Sequence, residues 1–291
     1  MGVLKNPMDP VPLFPSPTLW ERIRKNKMLL FGLGIFSVIF LGALILPWFY
    51  PYHEHMSLNH TLTPPNLRFP FGTDLLGRCM LSRTLQGLRL SLLIALIATF
   101  LDVFIGLLWS TIAIFSHRNV NFLMMRTTEI LYSLPTVPVI ILLLVIFHNG
   151  ILPLILSMIM TGWIPISRII YGQFLLLQNK GFVLSAKAMN ASVFHILMKH
   201  LIPNSLAPII STLIFTIPKA IYTEAFISFL GLGIQPPQAS LGTLVKEGIN
   251  AVDYYPWLFF FPSICIVSLS ISFNLIGQGA KRLFIEENFH E

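Results

Sequence analysis

Residues Leu88–Phe115 read LRLSLLIALIATFLDVFIGLLWSTIAIF, and their charged positions are Arg89 at the start and Asp102 in the middle. A helix rises about 1.5 Å per residue, so about 20 apolar residues cross a hydrocarbon core about 30 Å thick. Transmembrane β-strands would instead show short segments of alternating polarity. The stretch therefore reads as a membrane-spanning helix. Similar runs recur at about Met28–Phe49, Phe122–Phe147 (broken near Pro135 and Pro138), Leu152–Tyr171, Leu206–Leu230 and Pro256–Gly279. The expected fold class is an all-α polytopic membrane protein with six spans.

Composition agrees. Of 291 residues, 55% are hydrophobic and 11% charged, whereas soluble domains carry about 25% charged residues. A formal charge of +7 would suggest nucleic acid in a soluble protein. In a polytopic chain it follows from the retention of Lys and Arg in cytoplasmic loops. Cys79 and Cys265 give neither a disulfide framework nor metal-ligand spacing.

The runs divide the chain into an N-terminal segment 1–27, a first span 28–50, an external loop 51–87, a five-helix core 88–280 and a tail 281–291. The lead-in is proline-rich, then basic from Trp20 to Lys27. The first run ends at Pro47-Trp48-Phe49-Tyr50, an interfacial aromatic cluster without a small-x-small cleavage pattern, which favours an uncleaved anchor. With the N-terminus inside, Lys5, Arg22, Arg24, Lys25, Lys27, Arg118, Lys180, Lys187, Lys199, Lys281 and Arg282 fall in inner segments. Arg68, Arg78, Arg83 and Lys246 fall in outer ones. This bias predicts two cytoplasmic termini.

Charge inside a bilayer is costly and usually functional, which singles out Asp102, Glu129 and Glu224. Glu129 follows Arg126 by three residues, the spacing of a helix-face ion pair. Asp102 and Glu224 are the candidates for a translocation pathway, and a gradient-driven secondary transporter would use such acids. Lys219 precedes Glu224 by five, a spacing that does not stack on a helix. His53, His55 and His60 cluster in the outer loop, where solvated histidines are more often innocent than metal-binding. No GxSxG, HExxH or GxxxxGKS/T pattern occurs, so hydrolase chemistry has no nucleophile–base pattern and ATP no phosphate loop on this chain. Energy for active transport would come from a gradient or from another subunit.

One interior island is amphipathic: Lys180–Asn204, KGFVLSAKAMNASVFHILMKHLIPN. Topology puts it in the cytoplasm. Val183, Ala186, Met189, Val193 and Leu197 recur at helical spacing and could pack on a partner or back on the spans. Asn190 accepts a left-handed backbone and predicts a kink, and Pro203 is expected to stop the helix. The segment is either a loop on the membrane surface or a short helix offered to a cytoplasmic partner.

Three blocks carry a family resemblance. FGTDLLGRCMLSRTLQGLRLSL (Phe71–Leu92) is similar to GTDxLGRDxLSRxxxGxRxSL. TEAFISFLGLGIQPPQASLG (Thr223–Gly242) is similar to TEAxLSFLGLGxQPPxPSWG, and the island to YVEAARALGAS followed by RHILPN. Over roughly Trp20–Leu283 the chain resembles the C-type inner-membrane permease subunits of binding-protein-dependent ABC importers of the oligopeptide, dipeptide and nickel group. The resemblance implies a type I ABC importer permease fold in the bacterial inner membrane, embedded in lipid, with a coupling loop at 173–205. It also implies a sister permease, two cytoplasmic ATPase subunits that use the ATP, and an external substrate-binding protein that meets the loops at 51–86 and 231–255. No cofactor is expected on this chain. The solute would be an oligopeptide or dipeptide, or else nickel or another small solute.

The resemblance assigns ATPase coupling to Leu184, Ser185, Ala186, Lys187, Ala188, Asn190 and Pro203, with Ala186 and Ala188 both expected on the docking surface. Leu184-Ser185-Ala186 replaces the family's Glu-Ala-Ala, Lys187 its Arg, and Asn190 its Gly. Cys79 and Gln278 stand where Asp is common. The contact with the ATPase is therefore expected to be electrostatically retuned.

Overall fold

A computed structural model describes residues 19–49, 60–148 and 150–288. The Pro-rich lead-in up to residue 18, His53, His55 and Asn149 lie outside the described residues. The helices are α1 (Leu19–Lys25), α2 (Lys27–Phe49), α3 (Met80–Phe115), α4 (Arg118–Tyr132), α5 (Thr136–Phe147), α6 (Ile151–Leu177), α7 (Gly181–Ala188), α8 (Val193–Ile196), α9 (Ile202–Phe229), α10 (Leu241–Ile249) and α11 (Trp257–Asn288). Among the described residues five helices are long and apolar enough to cross a membrane, and a bent pair brings the number to six.

That pair is α4 and α5, whose axes differ by 89°. The break falls at Pro135, which lacks a backbone donor and pushes Leu134 out of helical geometry. The break expected near Pro135 is thus present and divides Phe122–Phe147 into two helices at about right angles, while Pro138 lies within α5. Three contacts hold α4 against the core. Trp109 Nε1 donates to Thr128 Oγ1 at 3.1 Å, and Tyr171 OH to Asn121 Oδ1 at 2.9 Å. The Arg168 guanidinium sits 4.6 Å over the Tyr132 ring. The ion pair read from the sequence is present on its outer face, Arg126 Nη1 to Glu129 Oε2 at 2.8 Å.

The second span begins at Met80, not Leu88, because the preceding loop folds back and starts the helix early. Asp74 Oδ1 accepts from the backbone N–H of Leu76 and Arg78, and Gly77 turns at φ 72°. Asp74 Oδ2 then takes both Arg78 Nε at 2.7 Å and Arg83 Nη1 at 2.8 Å, and Arg83 reaches on to Glu247 of α10 at 2.7 Å. The block Phe71–Leu92 is therefore a loop running into α3, tied by ion pairs to α10.

Helix α3 packs most extensively on α6, and α2 on α11. The α2–α11 seam is made by missing side chains. A Cβ on Gly32 would sit 2.9 Å from Ile276 N, and one on Gly279 2.7 Å from Leu29 Cβ. The exposed backbone is then used: Ser272 Oγ donates to Gly32 O and Asn26 Nδ2 to Gly279 O, each at 2.8 Å. Close backbone approach through small residues is how helices associate without a hydrophobic driving force in lipid. At the far end of α2, Pro47 leaves the Ala43 carbonyl without its helical donor. The Arg89 guanidinium replaces that donor, with Nε at 2.8 Å and Nη2 also on the Ala43 oxygen.

Gly32→Val should lower the thermal unfolding midpoint of the purified protein in detergent by an amount corresponding to about 1–3 kcal/mol. Gly34→Val, on the same helix with nothing within 4 Å of its Cβ, should leave it unchanged.

Candidate functional site

The amphipathic island folds into α7, a turn, and a second helix. Lys180 precedes α7, and Asn190 adopts φ 56° in the turn that ends it. Ser192 then caps α8 by accepting from His195 N. The predicted kink at Asn190 is therefore present, and it splits the predicted stripe. Val183 and Ala186 are buried at 0% and 2% exposure against Ile170, Phe174, Ile196 and Leu201. Beyond the turn, Met189 and Val193 are exposed.

This burial corrects one expectation. Ala186 does not lie on the outer surface of α7; it is part of the local core that seats the helix. Leu184, Ser185, Lys187 and Ala188 are exposed, and so are Met189, Phe194 and Met198 further along the island. Where an acid is usual, this surface is apolar with a basic edge at Lys187 and Lys199.

Pro203 is exposed and does not end the helix. Val193–Phe229 runs on as one long helix. Residues Leu197–Leu201 are a π-helical turn directly before the proline, and such a turn makes room for a ring that would clash with the carbonyl four residues back. The neighbouring carbonyls find side-chain donors instead. Asn204 Nδ2 reaches His200 O at 2.6 Å, and Ser205 Oγ reaches Leu201 O. Helices tolerate proline in membranes by such local adjustment. The helix stops only at Gly231, φ 85°, where Gly231 N bonds Ser228 O and Leu232 N bonds Ile227 O, the backbone pattern of a Schellman end.

Further along this helix, one face of α9 carries a polar stripe: Thr212, Thr216, Lys219 and Thr223 line a cavity of about 520 Å³. Asp102 of α3, Thr136 of α5, and Thr161 and Gly162 of α6 form other parts of its wall. Asp102 is 4% exposed, its Oδ1 has no hydrogen-bond partner, and a Cβ on Gly162 would collide with its carboxylate. Lys219 is exposed and lines the same cavity. The stripe at intervals of three and four in an otherwise apolar span was the overlooked signal. Lys219 had been weighed only against Glu224.

Glu224 does not line this cavity. It is fully buried between α3, α9 and α10, where Ser91 Oγ donates to Oε2 and Ser228 Oγ to Oε1, each at 2.7 Å. Leu241 N in turn donates to Ser91 Oγ at 3.2 Å. Ser240 caps α10 with Thr243 in a reciprocal box. Gly242 lies so close that a Cβ would overlap the Ala225 backbone, and Gly87 abuts Ser240. The two acids read together from the sequence are therefore different in kind: one faces the cavity, the other is the centre of a packed polar knot.

Comparison with known proteins adds the following. Residues 102–284 match the model for the binding-protein-dependent transport system inner membrane component. Residues 17–65 match that for the N-terminal TM domain of oligopeptide transport permease C. The chain is 39% identical to the oligopeptide transport system permease protein OppC of Bacillus subtilis over 271 residues, covering 91% of this chain and 89% of that protein. It is 38% identical to the dipeptide transport system permease protein DppC of the same organism, covering 89% and 82%. Against OppC of Haemophilus influenzae it is 34% identical, covering 91% and 87%. A crystal structure of an amino acid ABC transporter with histidines shares the fold, with TM-score 0.50 and 18% identity over 70% of this chain and 92% of that one.

Asn190→Gly should preserve the thermal midpoint, and Asn190→Val should lower it, because a β-branched residue is strained at positive φ. Ala186→Asp should increase proteolysis between α6 and α9, whereas Ala188→Asp should not. Glu224→Ala should destabilise by on the order of 2 kcal/mol, since it strands two buried hydroxyls, and Glu224→Gln should recover most of that loss. All are read by melting and limited proteolysis of the detergent-solubilised protein.

Proposed function

The chain belongs to the family of inner-membrane components of binding-protein-dependent transport systems, and on that basis we propose that it forms half of the translocation pathway of an ATP-driven peptide importer. The observation that carries this reading is the identity of 39% and 38% to permeases named for oligopeptide and dipeptide transport, over about nine-tenths of the chain. The other half of the pathway comes from a sister permease placed over the open, polar face of α9. Two ATPase subunits hydrolyse the ATP at the cytoplasmic side, and an external binding protein delivers the peptide near α10. Both termini lie in the cytoplasm of a bacterial cell.

The geometry supports a mechanism for such a role. The exposed face of α7, with Leu184, Ser185, Lys187 and Ala188, is the part offered to the ATPase. Asn190 sets the angle between this helix and the next, and Pro203 with its π-turn adjoins the long helix that lines the cavity. Movement of α7 is passed through its buried anchors, Val183 and Ala186, to Ile196 and Leu201 and so to α9. Asp102, with Lys219 facing it, lies in the pathway. Glu224 stabilises the other end of the same lever. The apolar surface around Leu184 calls for an apolar cleft on the ATPase, where an acid at this position would call for a basic one.

The test is uptake of a radiolabelled tripeptide by cells carrying the intact importer. Deletion of this permease should abolish uptake. Ala188→Asp should reduce it at least about tenfold, the effect of losing ~1.4 kcal/mol at the docking surface, at unchanged permease abundance. Undiminished uptake by Ala188→Asp would remove α7 from the coupling role, and undiminished uptake after deletion would refute the transport reading.

A further inference from the structure

The cavity wall is built mainly from aliphatic and hydroxyl side chains, and its charged residues are Asp102 on α3, Lys219 on α9 and Lys281 on α11. No ion pair joins Asp102 and Lys219 among the described residues. Asp102 is buried at 4% exposure, and Oδ1 accepts no hydrogen bond. Gly162 supplies room where any other residue would displace the carboxylate. A carboxylate withdrawn from water inside a bilayer is costly unless it is paired. The chain thus maintains an acid in its pathway and leaves part of its hydrogen-bonding capacity unused. Lys219 is the complementary case, a flexible ammonium on an exposed stem lining the same space.

We propose that Asp102 and Lys219 form a two-point site for a zwitterionic peptide, Asp102 receiving the terminal ammonium and Lys219 the terminal carboxylate. Apart from Lys281 of α11, the remaining wall is apolar with scattered hydroxyls, which suits side chains of varied size while the two charged ends are read. The site rests on the peptide-permease reading and sharpens it, because it specifies which chemical groups of the solute this chain itself recognises. An ammonium is the required partner at Asp102; a carboxylate alone, or an apolar solute, leaves that acid uncompensated.

The experiment uses the intact importer in nanodiscs without its external binding protein, so that selection by the binding protein does not enter. A hydrophobic carbodiimide is allowed to react with Asp102, followed by mass spectrometry, with Asp102→Asn as the unlabelled control. Trialanine and trialanine amide should each slow labelling, whereas N-acetyl-trialanine should not. In Lys219→Gln, trialanine should lose its advantage over the amide. In cells, Asp102→Asn should lower trialanine uptake about tenfold, equivalent to ~1.4 kcal/mol, and the double variant Asp102→Asn/Lys219→Gln should be no better. Equal protection by all three peptides, or by none, would overturn the site. Restored uptake in the double variant would also overturn it, by showing that the two residues neutralise each other rather than the solute. Absence of trialanine uptake by the unaltered importer would instead refute the peptide reading on which the site rests.

Discussion

A carboxylate with no exposed surface holds the bundle together at one end. Glu224 of α9 takes a hydroxyl from Ser91 of α3 and another from Ser228 one turn along its own helix. Ser91 also takes the N–H of Leu241, the first residue of α10. One acid therefore fixes three helices in register, and glycines at 87 and 242 let the backbones approach closely enough for it to do so. In an apolar medium such a network is stabilising only when it is complete. The outer ion-pair chain Asp74–Arg83–Glu247 repeats the tie between the loop before α3 and α10.

The same requirement governs the backbone. Two irregular places in the helices have side-chain donors beside them: Arg89 on the Ala43 carbonyl that Pro47 leaves free, and Asn204 and Ser205 on carbonyls around Pro203. The consequence for function is mechanical. The helix that leaves the amphipathic island is the one that lines the cavity and carries Glu224 near its far end. A proline that disrupted it would uncouple those sites. Passing through a π-turn keeps them on one continuous rod, with its N-terminal end seated on α7 by Val183, Ala186, Ile196 and Leu201.

Legibility differed between elements for physical reasons. The apolar runs identified the spans because hydrocarbon thickness demands a minimum length whatever the packing. Asn190 announced its turn because few residues accept a positive φ. Ala186 was misjudged, since helical spacing says which residues share a face but not which face the partner covers. Pro203 was misjudged because its cost depends on side chains near it in the folded helix. Glu224 looked like a pathway acid because its Ser91 partner is 133 positions away.

The sequence by itself determined that this chain is a helical membrane protein, where its spans fall, and, through its three blocks, its family. Those are properties of local composition and of short ordered strings, and they survive without coordinates. Only the tertiary structure separated Asp102 from Glu224, turned α4 by 89° from α5, and divided the island into a buried and an offered face. Each of those depends on which distant residue stands opposite. Inside a bilayer, where water cannot satisfy a stray polar group, that neighbour decides whether a charge serves the fold or faces a cavity.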